Sequence, residues 1–219
     1  MHGRQPHLVR NSRCPRVSRR AALALTSAAL LIPRFARAAG GPDPKDQITR
    51  FNAALLGIMK AGKGTSFTAR CDALGPVVDQ VFDLAQILKM SVGSYWRGLP
   101  KTQQSTLARV FRDFVLASYV SAFDEYNGET ARVLPDVRSV GVLQVISSAF
   151  TSPGDGSAIT AYVMAETGDL WRVQDILLEG TISRVAMQRS DFQSSLATGD
   201  ATRLIEKLRS KTVSLDQQA

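Results

Sequence analysis

Residues 111–135, FRDFVLASYVSAFDEYNGETARVLP, change from a helical to a strand-like pattern within one short stretch. In the first half, apolar and small side chains recur three and four positions apart, which is the spacing of one helix face. These positions are Phe111, Phe114, Val115, Ser118, Tyr119, Ala122, Phe123 and Tyr126. Asn127-Gly128 ends the helical spacing. The stretch therefore predicts a long amphipathic helix, from about 102 to 126, that leads into a β-sheet.

Four β segments are expected downstream of that helix. They cover about 130–135, 139–151, 158–167 and 170–179. Asp155-Gly156 and Gly168-Asp169 lie in turns between β-rich runs, so hairpins should join the strands there. Sequential hairpins make an antiparallel sheet, which usually packs one face against helices.

Helices are expected on both sides of the sheet segments in sequence. Asp43-Pro44 is a helix start, and Gly62-Lys63-Gly64 ends that helix. The remaining expected helices are a short one to Leu74, one from Pro76 to about Met90, one from about 183 to 196, and a last one capped by Asp200. We therefore predict one α+β domain over residues 39–211 and a polar tail over 212–219.

The first 38 residues differ in kind from the rest of the chain. They contain eight arginines and no Asp, Glu or Lys, and they include an apolar run over 21–32 and the small-residue site Ala36-Arg37-Ala38. The run of about 12 apolar residues is shorter than the roughly 20 that a membrane span needs. Residues 1–38 are therefore expected to be a cleavable export signal, of the Sec or the twin-arginine type, and the mature protein to be periplasmic.

Removal of this signal changes what the composition implies. The chain's net charge is +8, but without those eight arginines 19 basic residues stand against 19 acidic ones. The basic excess thus belongs to the signal and does not indicate a nucleic-acid partner. Both histidines, His2 and His7, lie in the signal too, which excludes histidine-based catalytic triads and zinc sites in the mature domain.

Other candidate chemistries have little support in the sequence. Cys71 is the one mature cysteine, and we expect it to be a small buried side chain. Residues 57–64, GIMKAGKG, lack the Ser or Thr that a phosphate-binding loop needs. Asp124 and Glu125 are expected at a solvated helix end. No catalytic residue, cofactor or metal is therefore predicted.

Three segments resemble the MlaC / toluene-tolerance auxiliary family of periplasmic lipid carriers. Residues 111–129, FRDFVLASYVSAFDEYNGE, are similar to the family's long helix, which ends in Tyr-x-Gly-Glu. Residues 170–183, LWRVQDILLEGTIS, resemble its strand and turn that start with Trp-Lys-Val-x-Asp, and residues 188–211 resemble its last two helices. Order and spacing agree over roughly 45–211.

At two places the sequence differs from most members of this family and resembles one particular branch of it. Thr181-Ile182-Ser183 stands where most members have Val-Ser, and Gln188-Arg189 replaces Tyr-Arg. Both are similar to the branch associated with hopanoid biosynthesis (HpnM-like). This resemblance implies that the cargo is either a phospholipid or a hopanoid.

The family resemblance implies an NTF2-like fold, in which a curved four-stranded antiparallel sheet and several helices enclose an apolar cavity. It also implies a carrier that moves lipid between inner and outer membranes as the soluble component of an ABC-type transport system. The implied partners are an inner-membrane transporter complex and an outer-membrane complex, and we expect a monomer. A lipid tail gains about 0.8 kcal/mol per buried methylene, so such a cavity needs no acid–base groups.

Candidate cavity-lining residues are apolar positions of the sheet and the helices. They are Phe82, Phe114, Tyr119, Phe123, Val145, Tyr162, Val173 and Ile176. Arg189 is a candidate head-group contact, with a helix-surface salt bridge as its alternative role. Asp175 is expected to form structural hydrogen bonds. Two other functions stay open: a non-catalytic accessory subunit that docks on a transporter, and a carboxylate-dependent enzyme.

Overall fold

The computed structural model describes residues 43–154 and 156–218, so the expected export signal lies outside the described residues. These residues form six α-helices and one five-stranded antiparallel sheet, which confirms the α+β class. The helices are α1 Pro44–Ala61, α2 Phe67–Val81, α3 Leu84–Val92, α4 Lys101–Ala122, α5 Arg184–Gln193 and α6 Thr202–Gln218. A short 3₁₀ helix, Gly93–Gly98, joins α3 to α4.

The sheet is a meander in which strand order follows chain order. Its strands are β1 Thr130–Val140, β2 Leu143–Ser152, β3 Gly156–Thr167, β4 Leu170–Leu178 and β5 Ile182–Ser183. The fifth strand, which we did not expect, is two residues long and pairs with the end of β4. The first hairpin turns at Gly141, whose φ of 60° suits a glycine, and this turn interrupts the segment expected as 139–151.

The helical break after α1 lies at Phe82 and not near Pro76, as we had predicted. α2 continues through Pro76, which is exposed, and ends where the backbone of Phe82 becomes extended. The Asp83 amide then donates to the Val173 carbonyl at 2.9 Å. This bond to β4 and the burial of the Phe82 ring, both tertiary contacts, therefore determine where the helix breaks.

α4 ends at Ala122, four residues before the expected end. The backbone leaves the helical region at Phe123, whose ring packs edge-on against Phe150 of β2 with the centroids 5.3 Å apart. Asp124 and Glu125, expected at a solvated helix end, lie 3.1 and 3.8 Å from the Lys63 ammonium. The contact of Phe123 with the sheet therefore shortens the helix.

A β-bulge decides which side chains of β4 face the helices. Val163 pairs with Asp175 but Met164 pairs with Val173, so Gln174 is an extra residue in β4. In a regular strand, residues three positions apart point to opposite faces. The bulge instead brings Val173 and Ile176 to the face that packs against the helices.

α6 runs through Lys211 to Gln218, so the segment expected as a polar tail is helical. The helix starts with a network in which Asp200 accepts from the Thr202 amide and from Gln103 of α4. Leu204, Leu208 and their neighbours pack against α4, while the polar side chains of the last turns face solvent. The polar residues after Lys211 can therefore continue the helix, because its first turns are fixed by packing against α4.

Candidate functional site

A cavity of about 230 Å³ lies between α3, α4, α5 and the inner faces of β3 and β4. The wall contributed by α4 consists of Phe111, Phe114, Val115, Ser118, Tyr119, Ala122 and Phe123. The sheet contributes Thr160, Tyr162, Asp175, Ile176 and Leu178, and α5 contributes Arg184, Val185 and Gln188. The wall is therefore mainly aromatic and aliphatic, with few polar groups.

The α4 wall is the stripe that opened the sequence analysis. Seven of its eight positions line the cavity, and Tyr126 does not because the helix ends before it. A different face of α4, with Leu107, Val110, Leu116 and Val120, is buried in the hydrophobic core. The helix thus uses one apolar face for the core and an adjacent aromatic one for the cavity.

Four aromatic rings meet where the cavity wall adjoins the hydrophobic core. The Phe51 ring packs edge-on against Phe82, Tyr119 and Tyr162, with centroid distances of 4.9, 5.0 and 6.2 Å. Burial raises the pKa of both Tyr119 and Tyr162, so both phenols stay neutral. Neither hydroxyl has a hydrogen-bond partner within the described part of the chain, and both residues line the cavity.

Asp175 joins the sheet wall to the α5 wall. Its Oδ1 accepts from the amides of Ile176 and Val185 at 2.8 and 3.0 Å, and its Oδ2 accepts from the Ser183 hydroxyl. Ser183 in turn caps α5 by accepting from the Ala186 amide. The carboxylate therefore has the structural role expected from the sequence, at a position on the cavity wall.

The mouth of the cavity carries one unpaired cation. Arg184 and Ala122 are the solvent-exposed members of the lining. Within residues 43–154 and 156–218, Arg184 forms no hydrogen bond or ion pair. Gln188 lies one turn further along α5 and accepts from the Ser91 hydroxyl at 3.1 Å. Asp175, on the same lining, accepts from three neutral donors and forms no ion pair with Arg184, so Arg184 is an unpaired cation at the mouth.

The structure brings six of the eight candidate cavity residues to the cavity wall. They are Phe82, Phe114, Tyr119, Phe123, Tyr162 and Ile176. Val145 is buried but lies on the opposite sheet face, because its neighbour Ile146 takes the position toward the helices. Val173 is on the correct face, but it packs beneath the Phe82 backbone and does not reach the cavity. That these six residues contact a lipid stays a proposal.

Arg189 does not line the cavity and forms no salt bridge with a described residue, so that it contacts a lipid head group stays a prediction. Its Nε and Nη2 donate to the Met90 carbonyl at 2.9 and 2.7 Å, which ties α5 to α3 away from the cavity mouth. The arginine at the cavity mouth is Arg184, whereas the sequence analysis had named Arg189 as the candidate. Ser183, a helix cap directly after a strand, is the local signal that would have placed Arg184 in the first turn of α5.

The described residues contain neither a candidate membrane span nor a candidate metal site. None of the helices is both long and apolar enough to span a membrane. No group of three or more His, Cys, Asp or Glu side chains in these residues is arranged to hold a metal ion.

The chain is similar to one protein family in sequence and to a solved structure in fold. The family model described as "MlaC protein" matches residues 49–210. No curated protein has significant sequence similarity to the chain. Among solved structures, a phospholipid-binding protein from Ralstonia solanacearum in complex with a phospholipid is similar in fold, with a TM-score of 0.68. That protein is 16% identical in sequence, and the match covers 79% of this chain and 98% of that one.

Proposed function

This chain belongs to the MlaC protein family, and from that premise we propose that it is a periplasmic lipid-binding carrier. We further propose that it moves lipid between the inner and outer membranes as the soluble, monomeric component of an ABC-type transport system. The single observation that supports this function best is an aromatic cavity with an unpaired arginine at its mouth. The phospholipid held by the similar Ralstonia protein supports the same cargo class.

We propose that each part of the cavity holds a different part of the cargo. Apolar tails contact the Phe114, Phe123 and Ile176 side chains, where each methylene removed from water contributes about 0.8 kcal/mol. The free hydroxyls of Tyr119 and Tyr162 are donors for a carbonyl oxygen of an ester. Arg184 meets the anionic group of the head, which remains in contact with water.

The volume of the cavity implies that it widens on loading. Pockets that hold drug-sized ligands measure roughly 300–1,000 Å³. The 230 Å³ found here is below that range, and a lipid with two long tails is larger than a drug. We therefore expect α4 or α5 to move away from the sheet when cargo enters.

The identity of the lipid is the finer part of the proposal. The departures at Thr181-Ile182-Ser183 support the hopanoid-associated branch and a triterpenoid cargo. The unpaired Arg184 favours a phospholipid, since a cation at the mouth stabilises a phosphate more than it stabilises an uncharged head. Analysis of the bound lipid distinguishes the two.

The experiment that tests the carrier function is native mass spectrometry of the mature protein purified from its own periplasm, followed by lipid extraction. We expect about one phospholipid or hopanoid per chain. A protein that is empty as purified, and stays empty after incubation with both lipid classes, would contradict the proposal. That result would favour the accessory docking subunit.

A substitution at the mouth tests the role of Arg184. If the cargo is a phospholipid, Arg184→Gln should weaken its binding about five- to ten-fold, because an exposed charge-assisted contact is lost. Arg203→Gln is the matched control, since Arg203 is exposed on α6 and does not line the cavity. Equal loss in both variants, or in neither, would remove Arg184 from the head-group site.

An enzymatic function has less support from the same wall. Asp175 is the one carboxylate among the lining residues, and its two oxygens already accept three hydrogen bonds. A general acid or base needs an oxygen within reach of its substrate. The accessory-subunit alternative is not favoured by any feature of the cavity.

A further inference from the structure

A second concave surface lies on the other side of the α3–α5 pair. It has a volume of about 670 Å³ and is built by the end of α3, the 3₁₀ helix and the outer side of α5. We call it the basic groove, and it is defined by Lys89, Tyr95, Trp96, Arg97, Arg189 and Gln193. The proposed carrier function makes no use of these residues.

The groove concentrates positive charge in a domain whose mature charge is balanced. Lys89, Arg97 and Arg189 line it, and none of the described Asp or Glu residues does. Lys89 and Arg97 are exposed and form no hydrogen bond or ion pair with any described residue. Arg189 donates to a neutral carbonyl, so its charge is also uncompensated. Such an arrangement attracts an anionic partner.

Aromatic side chains form the floor of the groove. Tyr95 and Trp96 are half-buried there, and neither the Tyr95 hydroxyl nor the Trp96 indole N–H is hydrogen-bonded to a described residue. Trp and Tyr beside Lys and Arg is the combination that favours the interface between a bilayer and water. The groove thus offers both the charge and the amphipathic rings that suit lipid head groups.

The position of the groove relative to the cavity favours a membrane over an acidic protein. Adjacent residues of α5, Gln188 and Arg189, line the cavity and the groove respectively. Arg184 at the cavity mouth lies five positions before Arg189, which is about 7–8 Å along the helix axis. Phosphates held in the groove would therefore lie close to the entrance through which a lipid passes.

We propose that the basic groove docks the protein on the anionic phospholipid head groups of a membrane surface while cargo enters or leaves the cavity. This proposal rests on the proposed carrier function. Each Lys or Arg near an anionic bilayer contributes roughly a five-fold gain in partitioning, so three contribute on the order of 100-fold. Binding of that strength is reversible, as a shuttling protein requires.

Vesicle co-sedimentation tests the docking directly. The mature protein should bind vesicles of phosphatidylcholine with phosphatidylglycerol but not vesicles of phosphatidylcholine alone, and added salt should weaken the binding. The double substitution Lys89→Gln with Arg97→Gln should lower partitioning about 25-fold. The control is Arg109→Gln with Arg203→Gln, which removes two exposed cations outside both concavities and should change partitioning much less.

Tryptophan emission gives an independent readout of the contact. The chain has two tryptophans, so Trp171→Phe leaves Trp96 as the one reporter. Trp96 emission should shift to the blue on anionic vesicles and be quenched by brominated lipid. An unchanged spectrum on vesicles that sediment the protein would overturn the assignment of the groove as the contact surface.

Two further outcomes would overturn the proposal. One is equal vesicle binding by the groove variant and its control. The other is binding of an acidic peptide such as oligoglutamate with no binding to anionic vesicles, which would make the groove a protein-docking site. Native mass spectrometry tests the carrier function separately. The groove variant should still contain its cargo, so loss of vesicle binding and loss of cargo can be distinguished.

Discussion

Arg70 is a fully buried arginine on α2, and its Nε and Nη1 atoms have no hydrogen-bond partner among the described residues. The guanidinium lies 6.0 Å from the centre of the Phe67 ring, which compensates only part of its desolvation. A buried charge without hydrogen bonds destabilises the folded state. Arg70 is therefore a position where the native residue is not the most stable one.

We expect Arg70→Met to raise the free energy of unfolding by about 1–2 kcal/mol, because an apolar chain of similar length removes the unpartnered donors. Urea denaturation of the mature protein measures the change. Arg70→Gln is the control, since it keeps a polar group at the site and should bring no gain. A large loss of stability in Arg70→Met would show that the guanidinium has a partner in solution.

Cys71, next to Arg70, is half-buried, and burial raises the pKa of its thiol from the ordinary value of 9.0 to about 11. The nearby Asp72 carboxylate acts in the same direction. Because the thiolate is the reactive form, alkylation at pH 8 should be about 100-fold slower than for a thiol of ordinary pKa. Its rate should increase about ten-fold per pH unit.

Peptide mass spectrometry after iodoacetamide treatment measures this rate, with the denatured protein as the control. The same shift has a consequence for stability, since the folded state favours the neutral thiol. Its contribution is fully present below about pH 9, the pKa of the unfolded chain, and is lost as the pH rises toward 11. Rapid labelling of the native protein at pH 8 would contradict the burial of Cys71.

At the scale of elements, the junction of β4 with α5 depends on one carboxylate. Asp175 accepts from Ser183 and Val185, which start α5, and it also accepts from Ile176 in β4. The junction holds Arg184 at the cavity mouth. We therefore expect this carboxylate to stabilise both the fold and the shape of the entrance.

Asp175→Ala should lower the free energy of unfolding by about 2 kcal/mol, because it leaves backbone and hydroxyl donors without their charged acceptor. Thermal or urea denaturation measures the loss. Asp191→Ala is a suitable comparison, since Asp191 is exposed on α5 and its substitution should stay within roughly 0.5 kcal/mol. Similar losses in the two variants would argue against the junction.

At the scale of the whole molecule, the interior is divided between a packed core and a narrow cavity. The cavity is separated from the core by the aromatic rings around Phe51. A carrier must keep this space unfilled, although filling it with side chains would give a more stable protein. Substitutions that fill the cavity should therefore separate stability from lipid binding.

Ser118→Trp places a large ring inside the cavity from the C-terminal part of α4, where Ser118 is half-buried on the wall. We expect the variant to fold but to contain less than about a tenth of the wild-type cargo, because the ring occupies the space of the tail. Native mass spectrometry measures the cargo. Ala108→Trp, exposed on the same helix, should retain full cargo. Full cargo in Ser118→Trp would place the lipid elsewhere.

The parts of the fold that depend on neighbouring residues could be predicted from the sequence. Apolar spacing predicted α4, Asp43 and Gly62 predicted the ends of α1, and glycine turns predicted the β3–β4 hairpin. The α4 stripe also contains the three cavity-lining residues predicted on that helix, Phe114, Tyr119 and Phe123. These features follow from local periodicity and turn chemistry, which are properties of a short segment.

At several positions, long-range contacts decided the structure against what helix and strand patterns in the sequence predict. The Asp83–Val173 bond moved the helix break to Phe82, and the bulge at Gln174 put Val173 and Ile176 on one face. Tertiary packing also placed Arg184 at the cavity mouth and bound Arg189 to the Met90 carbonyl. Each of these features depends on contacts between residues distant in sequence, and the spacing of apolar residues carries no information about such contacts. The sequence by itself thus determined most of the elements and the family, whereas long-range packing decided several element ends and which side chains meet at the cavity.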